Sequence, residues 1–382
     1  MKKEGLGMGN IEWKEVKLRD ISLKITKGTT PTSLGFPFVE TGINYIKVEA
    51  LTFDGTINPS KFAFISEEAN EKLKRSIIQE GDILFSMAGM VLGKTAVVKK
   101  EYLPANTNQA LAIIRLDFEK AIPKFVDYFI RQNSFFNYVN TSTGQSAQPN
   151  INLEEIGNLV IKLPSKQIQQ TIASILSSLD DKIELNRQTN QTLEAIAQTL
   201  FKEMCVPKSE VFPEGWEVVQ LNKVLEIKYG KDHKHLENGS IPLYGSGGIM
   251  RFVNKALYEK ESILIPRKGT LSNLFYINKP FWSVDTMFYT KIKDRTYSKF
   301  LFLLLKSMNL AAMNVGSAVP SLTTEILNRL EIIIPPMSIL KSFDIRVTPF
   351  FKMLEMIEEE NKTLIIIRDS LLPKLMRGEI KV

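Results

Sequence analysis

The architecture of the chain follows from residues 343–375, FDIRVTPFFKMLEMIEEENKTLIIIRDSLLPKL. Apolar residues recur there at alternating intervals of four and three, the spacing of a heptad seam on one face of an α-helix. The same spacing runs through residues 172–204 at an offset of 171. We predict two helices of about 40 residues, each about 60 Å long. The predicted seams contain Ile172, Leu179, Ile183, Asn190, Leu193 and Leu200, and then Phe343, Phe350, Leu354, Asn361, Leu364 and Leu371.

The pairing of the two helices is constrained by a polar seam position. Asn190 and Asn361 match across the offset, and a polar seam residue fixes register at a cost in stability. We expect an antiparallel coiled coil, with the two modules related by a pseudo-twofold axis. If the helices were parallel, residues 208–334 would have to run back along the whole length of the first helix before the second one begins. That segment is long enough, so the sequence alone leaves the parallel arrangement open.

The helices belong to a longer internal duplication. WKEVKL at residues 13–18 reappears as WEVVQL at residues 216–221, an offset of 203. SAQP at residues 146–149 reappears as SAVP at residues 317–320, and from there the offset stays at 171. Several matches at one offset indicate a duplicated unit. The second copy is shorter by 32 residues, and the loss lies between the two motifs.

Each copy begins with a module of short strands. Segments rich in β-branched and aromatic residues alternate with Gly and Pro, which is typical of strands and turns. The fold class is therefore α+β, with two α/β modules and two long helices. In the first module we predict strands within 39–48, 62–65, 83–87, 95–98 and 111–116 and a helix over 123–138; in the second, strands within 262–266, 274–277 and 287–292 and a helix over 298–308.

Composition excludes several classes of protein. The formal net charge of +7 permits binding to nucleic acid or to an anionic membrane surface without proving either. A single cysteine, Cys205, excludes a disulfide scaffold and a Cys-based zinc site. The sequence contains no run of 18 apolar residues, so we predict no membrane span. Its first residues also lack the apolar core of a secretory signal. We therefore expect a cytosolic protein.

Catalytic motifs are weak or missing. AGMVLGKT at residues 88–95 matches a loose phosphate-loop pattern, but a strand rather than a helix follows it, so we interpret it as strand, loop and strand. His233 and His235 flank a lysine, which disfavours a metal ion, and we predict no metal site. The nearest approach to an adenine methyltransferase motif is Asn58-Pro59-Ser60. An enzyme using Asp285 with Lys291, a nuclease or methyltransferase, remains an alternative, as does a scaffold that binds only proteins.

Three phrases resemble a known family. GDIL at residues 81–84, followed by Gly89, resembles a recurring phrase in the target-recognition domains of type I restriction–modification specificity subunits. The run from Pro164 through Gln169 to Ile172, continued by Leu179-Asp180 and Ile183, is similar to that family's conserved helix. DSLLPKLMRGEI at residues 369–380 looks like its C-terminal phrase. The second copy departs from the helix phrase, because Leu340 and Phe343 replace the residues matching Gln169 and Ile172.

The resemblance implies a division of labour along the chain. Residues 1–163 and 208–334 are then target-recognition domains, each reading one half of a bipartite site in double-stranded DNA. Residues 164–207 and 335–382 are the central and C-terminal conserved spacer helices, which set the gap and dock two methyltransferase subunits. Motor-nuclease restriction subunits can join that complex. The subunit itself has no catalytic residues and no cofactor; its partners use S-adenosylmethionine, ATP and Mg, in the cytoplasm of a bacterium or archaeon.

Candidate DNA contacts lie in basic and amide-rich loops. Lysine and arginine supply affinity for phosphates. Asparagine and glutamine can pair with adenine, and arginine or lysine can pair with guanine. An exposed charge or a turn is the competing interpretation for each residue. The candidates are Lys24, Lys27, Thr29, Lys47, Asn106, Asn108 and Gln109 in the first module and Lys228, Tyr229, Lys231, Lys234, Ser246, Arg251, Arg267 and Lys268 in the second.

Overall fold

A computed structural model describes residues 12–88, 92–142, 150–209, 212–313 and 321–382. The chain divides into two compact units. Unit 1 contains residues 1–184 and 362–382, and unit 2 contains residues 185–361. Both SAQP and SAVP motifs, and Gly89 with the rest of residues 89–91, lie outside the described residues.

Short strands and two 40-residue helices make up the described chain. The first copy contains β1 (Lys14–Lys17), β2 (Ser22–Lys27), β3 (Ile43–Ile46), β4 (Ala63–Ile65), α1 (Glu67–Lys72), β5 (Ile83–Ser86), β6 (Thr95–Val97), β7 (Ala105–Thr107), β8 (Leu111–Leu116), α2 (Pro123–Ile130), α3 (Asn133–Ser142), α4 (Leu153–Asn158), β9 (Val160–Leu163) and α5 (Lys166–Cys205). The second contains β10 (Glu217–Gln220), β11 (Leu225–Tyr229), β12 (Asn238–Gly245), β13 (Gly248–Val253), β14 (Ser262–Pro266), β15 (Phe275–Ile277), β16 (Trp282–Ser283), β17 (Met287–Ile292), α6 (Ser298–Ser307), α7 (Thr324–Asn328), β18 (Glu331–Ile334) and α8 (Met337–Met376).

The sheets of the two copies have the same topology. In unit 1 the strand orders are β2-β8-β5-β6, β4-β3-β7 and β1-β9. In unit 2 the corresponding orders are β11-β17-β14-β15, β13-β12-β16 and β10-β18. Strand directions agree as well, because β3 with β7 and β12 with β16 are the parallel pairs. The predicted internal duplication is therefore confirmed strand by strand.

The central strands are buried on both faces, which explains their almost uninterrupted apolar sequences. Ile83 and Phe85 of β5 face a core that includes residues of the long helices, whereas Leu84 faces a second core between the sheets. In β14, Ile263 and Ile265 face the helix-side core and Leu264 faces the other. This alternation follows from the two-residue period of a strand. In each unit, two cores thus lie on opposite faces of one sheet.

The two long helices pair antiparallel. In unit 2 the Asn186 side chain donates to the Asn361 side-chain oxygen at 2.9 Å, and the rings of Phe201 and Phe343 lie 6.4 Å apart. Residue numbers therefore fall along α8 as they rise along α5. In each copy the predicted seam positions are buried or half-buried. This arrangement confirms the predicted antiparallel coiled coil and excludes the parallel alternative.

The helix predicted over residues 123–138 is broken in two. Arg131 ends α2, and its guanidinium turns to the carboxylate of Asp127 one turn back, at 3.2 Å. The Gln132 side chain donates to the Phe129 carbonyl at 3.1 Å, which satisfies a helix-end acceptor. The break was missed because apolar periodicity continues across it. By contrast, β8, β14 and β17 have the predicted bounds.

One connection accounts for 14 of the 32 residues by which the copies differ. Residues 47–62 join β3 to β4, whereas only residues 246 and 247 join β12 to β13. The second copy therefore has a tight hairpin turn where the first copy has a long loop. Elsewhere, Thr95 begins strand β6, as expected for the strand that follows the phosphate-loop-like motif. No helix among the described residues is long and apolar enough to cross a membrane.

Candidate nucleic-acid interface

A glycine after the first core strand brings two loops together in unit 1. The N–H of Gly28 donates to the Asn108 carbonyl at 3.1 Å. A Cβ at position 28 would lie only 1.7 Å from the Thr107 carbonyl oxygen, so glycine alone permits the approach. The hydroxyl of Thr30 donates to the side chain of Gln109 at 2.6 Å. This glycine therefore places Lys27 and the following threonines beside residues 108 and 109.

Unit 2 repeats this junction with different side chains. The N–H of Gly230 donates to the Met287 carbonyl at 2.9 Å. A Cβ at position 230 would lie 2.0 Å from the Val284 carbonyl oxygen. Tyr229 and Lys231 thus occupy the places that Lys27 and Thr29 occupy in unit 1. The same backbone frame presents different chemical groups in each unit.

Arg75, which is not among the candidates predicted from the sequence, joins the unit 1 loops. The Arg75 guanidinium donates to the Thr29 hydroxyl at 3.3 Å, and the Lys24 ammonium donates to the Arg75 carbonyl at 2.8 Å. Lys72, Lys74 and Arg75 are all exposed. The signal was available as the basic run KLKR at residues 72–75. This side of unit 1 is therefore more basic than the candidate residues alone suggested.

Four candidates of unit 2 lie in neighbouring loops. The Arg267 guanidinium lies over the ring of Tyr229, 5.4 Å from its centroid, and Lys268 follows it at an exposed position. The loop after Lys268 touches the β12–β13 turn, because the Asn273 side chain donates to the Ser246 carbonyl at 2.7 Å. A pair of cations, an aromatic face and a hairpin turn are thereby brought to one place.

Two candidates are tied to neighbouring residues of their own unit. Asn106 is fully buried; it donates to Asn70 at 2.9 Å and accepts from the Ser76 hydroxyl at 2.7 Å. It cannot contact DNA, which corrects the prediction made for it. Arg251 donates to the carbonyls of His233 and Leu236 at 2.7 and 3.1 Å. It fastens the preceding loop to the hairpin.

The other candidates are held near the surface. Lys47 is half-buried, with its ammonium 4.6 Å from the centroid of the Phe38 ring. Lys228 pairs with Glu226 at 3.1 Å. The Asn108 side chain accepts from the Ala110 N–H at 3.1 Å, which closes a turn. Lys231 and Lys234 are exposed.

The catalytic alternatives gain nothing from the structure. Asp285 precedes β17, whereas Lys291 lies toward the far end of that strand, so the two do not form one site. Burial raises the pKa of the Cys205 thiol to about 12, so it is not a thiolate nucleophile at neutral pH. Within the described part of the chain, no three His, Cys, Asp or Glu side chains are grouped to hold a metal ion.

If the loops around Thr29 bind DNA, Arg75→Ala should weaken binding almost uniformly across sequences. Removing one phosphate contact should reduce the slope of log K against log salt by about 1. Binding titrations at several salt concentrations measure this slope. Lys162→Ala, which removes an exposed lysine of β9, is the matched control and should leave the slope unchanged. An unaltered slope for Arg75→Ala would place DNA elsewhere.

The chain is similar to known proteins over most of its length. A family model described as a type I restriction modification DNA specificity domain matches residues 10–195 and 213–364. The chain is 26% identical to the type I restriction enzyme MjaIX specificity subunit of Methanocaldococcus jannaschii, over 97% of this chain and 94% of that protein. It is 23% identical to the HindI specificity subunit of Haemophilus influenzae, over 97% and 100%.

A solved structure shares the fold. The crystal structure of a type I restriction–modification system S subunit from M. genitalium aligns with a TM-score of 0.66 at 19% identity, over 98% of both chains. At that identity the likeness concerns the fold alone.

Proposed function

Because the chain belongs to the type I restriction modification DNA specificity domain family, we propose that it is the DNA sequence-specificity subunit of a type I restriction–modification complex. The observation that carries this proposal is the repeated glycine junction. Gly28 and Gly230 hold equivalent loops in two units of the same topology. The side chains around those loops differ between the units. Two matching frames with different contacting groups suit a protein that reads two different short sequences.

Each unit reads one half of a bipartite site. Cationic side chains such as Arg75 and Lys268 hold the phosphates and set the register, while neighbouring polar and aromatic groups contact the bases. The antiparallel helices set the unspecified gap between the half-sites and dock two methyltransferase subunits; restriction subunits can join them. The chain performs no chemistry and holds no cofactor of its own. S-adenosylmethionine, ATP and Mg act in the partner subunits.

Methylation mapping tests this function. The chain is co-expressed with the methyltransferase encoded beside it, and modified bases are mapped across the host DNA by single-molecule sequencing. We expect a bipartite methylated motif that appears only when this chain is present. If both proteins are soluble and bound to each other but no motif appears, the chain is a scaffold and the proposal is wrong.

Exchange of one recognition module provides the sharper form of this test. Residues 208–334 are replaced by the corresponding residues of another specificity subunit, and the mapping is repeated. We expect one half of the motif to change and the other half to persist, because each unit has its own cores and loops. A change in both halves would contradict the assignment of one half-site to each unit.

A further inference from the structure

The hairpin of unit 2 exposes apolar side chains on its outer strand. β13 is an edge strand, since its sheet has the order β13-β12-β16. Ile249, Met250 and Phe252 are 41%, 59% and 46% exposed. The partner strand β12 is buried from Pro242 to Gly245. An exposed apolar edge usually invites aggregation and is avoided unless it has a use.

Met250 is presented by a specific backbone device. Tyr244 pairs with Ile249 and Leu243 pairs with Arg251, so Met250 is the extra residue of a β-bulge. Bulges redirect a side chain and are enriched next to functional sites. A Cβ at position 245 would lie 2.6 Å from the Met250 sulfur, so the thioether rests against Gly245. The bulge and the glycine together hold an exposed methionine near the tip of the hairpin.

The surroundings of this tip are basic. A Cβ at Gly269 would lie 3.0 Å from the Ser246 hydroxyl, which places the hairpin turn against the loop that follows Lys268. Arg267 lies over Tyr229 in the same loop cluster. Cations beside an exposed apolar residue suit a polyanion that also carries apolar groups. DNA has both, because phosphates flank bases whose only exposed methyl group in the major groove belongs to thymine.

We propose that Met250 is a specificity-determining residue that contacts a thymine methyl group in the half-site read by unit 2. This inference rests on the function proposed above. A two-stranded ribbon fits the major groove, and methionine adapts its shape to an apolar partner. Arg267 and Lys268 would hold the adjacent phosphates while the hairpin enters the groove. Phe252 extends the same apolar edge away from the tip.

Base analogues test the contact directly. The purified complex of chain and methyltransferase is titrated with a duplex carrying the mapped site, and each thymine of the unit 2 half-site is replaced in turn by deoxyuridine, which lacks the methyl group. The exchange of residues 208–334 identifies that half-site. One replacement should weaken binding roughly fourfold, as expected for one buried methyl group. Met250→Ala should weaken binding at least as much, and the same replacement should then have no further effect.

Two further variants serve as controls. Met250→Leu keeps an apolar side chain of similar volume and should retain the discrimination between thymine and uracil. Val218→Ala shortens an exposed apolar residue of β10 and should change neither affinity nor discrimination.

Several outcomes overturn the contact while leaving the proposed function intact. The first is a unit 2 half-site that contains no A·T pair. The second is that Met250→Ala and deoxyuridine weaken DNA binding independently of each other. The third is that Met250→Ala weakens binding of the methyltransferase and leaves the discrimination between thymine and uracil unchanged. If the wild-type complex shows no sequence preference at all, the proposed function itself fails.

Discussion

Asp180→Ala should lower the free energy of unfolding of unit 1 by about 3–5 kcal/mol, the cost of breaking a buried ion pair from one side. The Asp180 carboxylate accepts from Arg368 at 2.9 Å and from the Tyr128 hydroxyl at 2.6 Å. Arg131 lies 3.5 Å away and also pairs with Asp127. The side chains of both arginines are at most 13% exposed. Without Asp180, the buried guanidinium groups of Arg131 and Arg368 would both lose a carboxylate partner.

Hydrogen–deuterium exchange measures this effect unit by unit. Protection should fall for amides of residues 12–184 and 362–382 that the structure describes and should stay unchanged for those of unit 2. Asp369→Ala is the control, because that carboxylate also contacts Arg368 but is 59% exposed; it should cost well under about 1 kcal/mol. Equal losses in the two variants would show that Asp180 contributes no more than a surface charge.

The second copy has an aromatic ring at the matching position, and its buried ion pair lies elsewhere, between Lys299 and Asp344 at 2.8 Å. Phe351 lies at the position matching Asp180 across the offset of 171. Its ring meets those of Tyr276 and Phe302 at 5.0 and 5.9 Å. Aromatic packing of this kind does not carry the cost of an uncompensated charge. A charge at this position is therefore particular to unit 1.

Removing one heptad from both helices should shorten the recognised gap by about three base pairs. Residues 187–193 and 354–360 are deleted together, because the contact between Asn186 and Asn361 shows that these segments lie opposite each other in unit 2. A heptad deletion preserves the seam and removes about 10 Å of helix, close to three base pairs of B-DNA at about 3.4 Å each. Methylation at the original spacing should fall to background.

Methylation mapping reads the new gap, and a one-sided deletion provides the control. Deleting residues 187–193 alone leaves the partner helix a heptad too long, so the folded complex and all methylation should be lost. The exposed ion pairs of Lys279 with Glu355 and Glu359 disappear in the double deletion, but such pairs contribute little. Methylation that persists at the original gap after the double deletion would show that the helices do not set it.

The helix seams and the central strands could be predicted because burial determines where apolar residues recur along them. The alternating intervals of four and three residues located both long helices, and short runs rich in apolar residues located β8, β14 and β17. The break after Arg131 could not be read, since the apolar periodicity continues across it. Asp180, which pairs with that arginine, lies 49 residues away.

The candidate site was only partly predictable for a related reason. Tyr229, Arg267 and Ser246 come together through loops whose ends are set by the sheets, and their residue types were sufficient to suggest them. Asn106 is also polar but faces inward on β7, where its side chain forms hydrogen bonds with Asn70 and Ser76. Met250 required the structure, because a bulge changes which side a strand residue faces.

The order in which the ribosome delivers the chain makes the two units unequal. Unit 2 is one continuous segment, whereas unit 1 requires residues 362–382 to join residues 1–184. At about 5–20 residues per second, roughly 10–40 s pass between the emergence of Glu184 and that of residues 362–382. Throughout this delay Ile172 and Leu176 lack the partners, Leu371 and Leu375, that share their core in the finished protein. The nascent first half therefore exposes part of its core to solvent until residues 362–382 have been made.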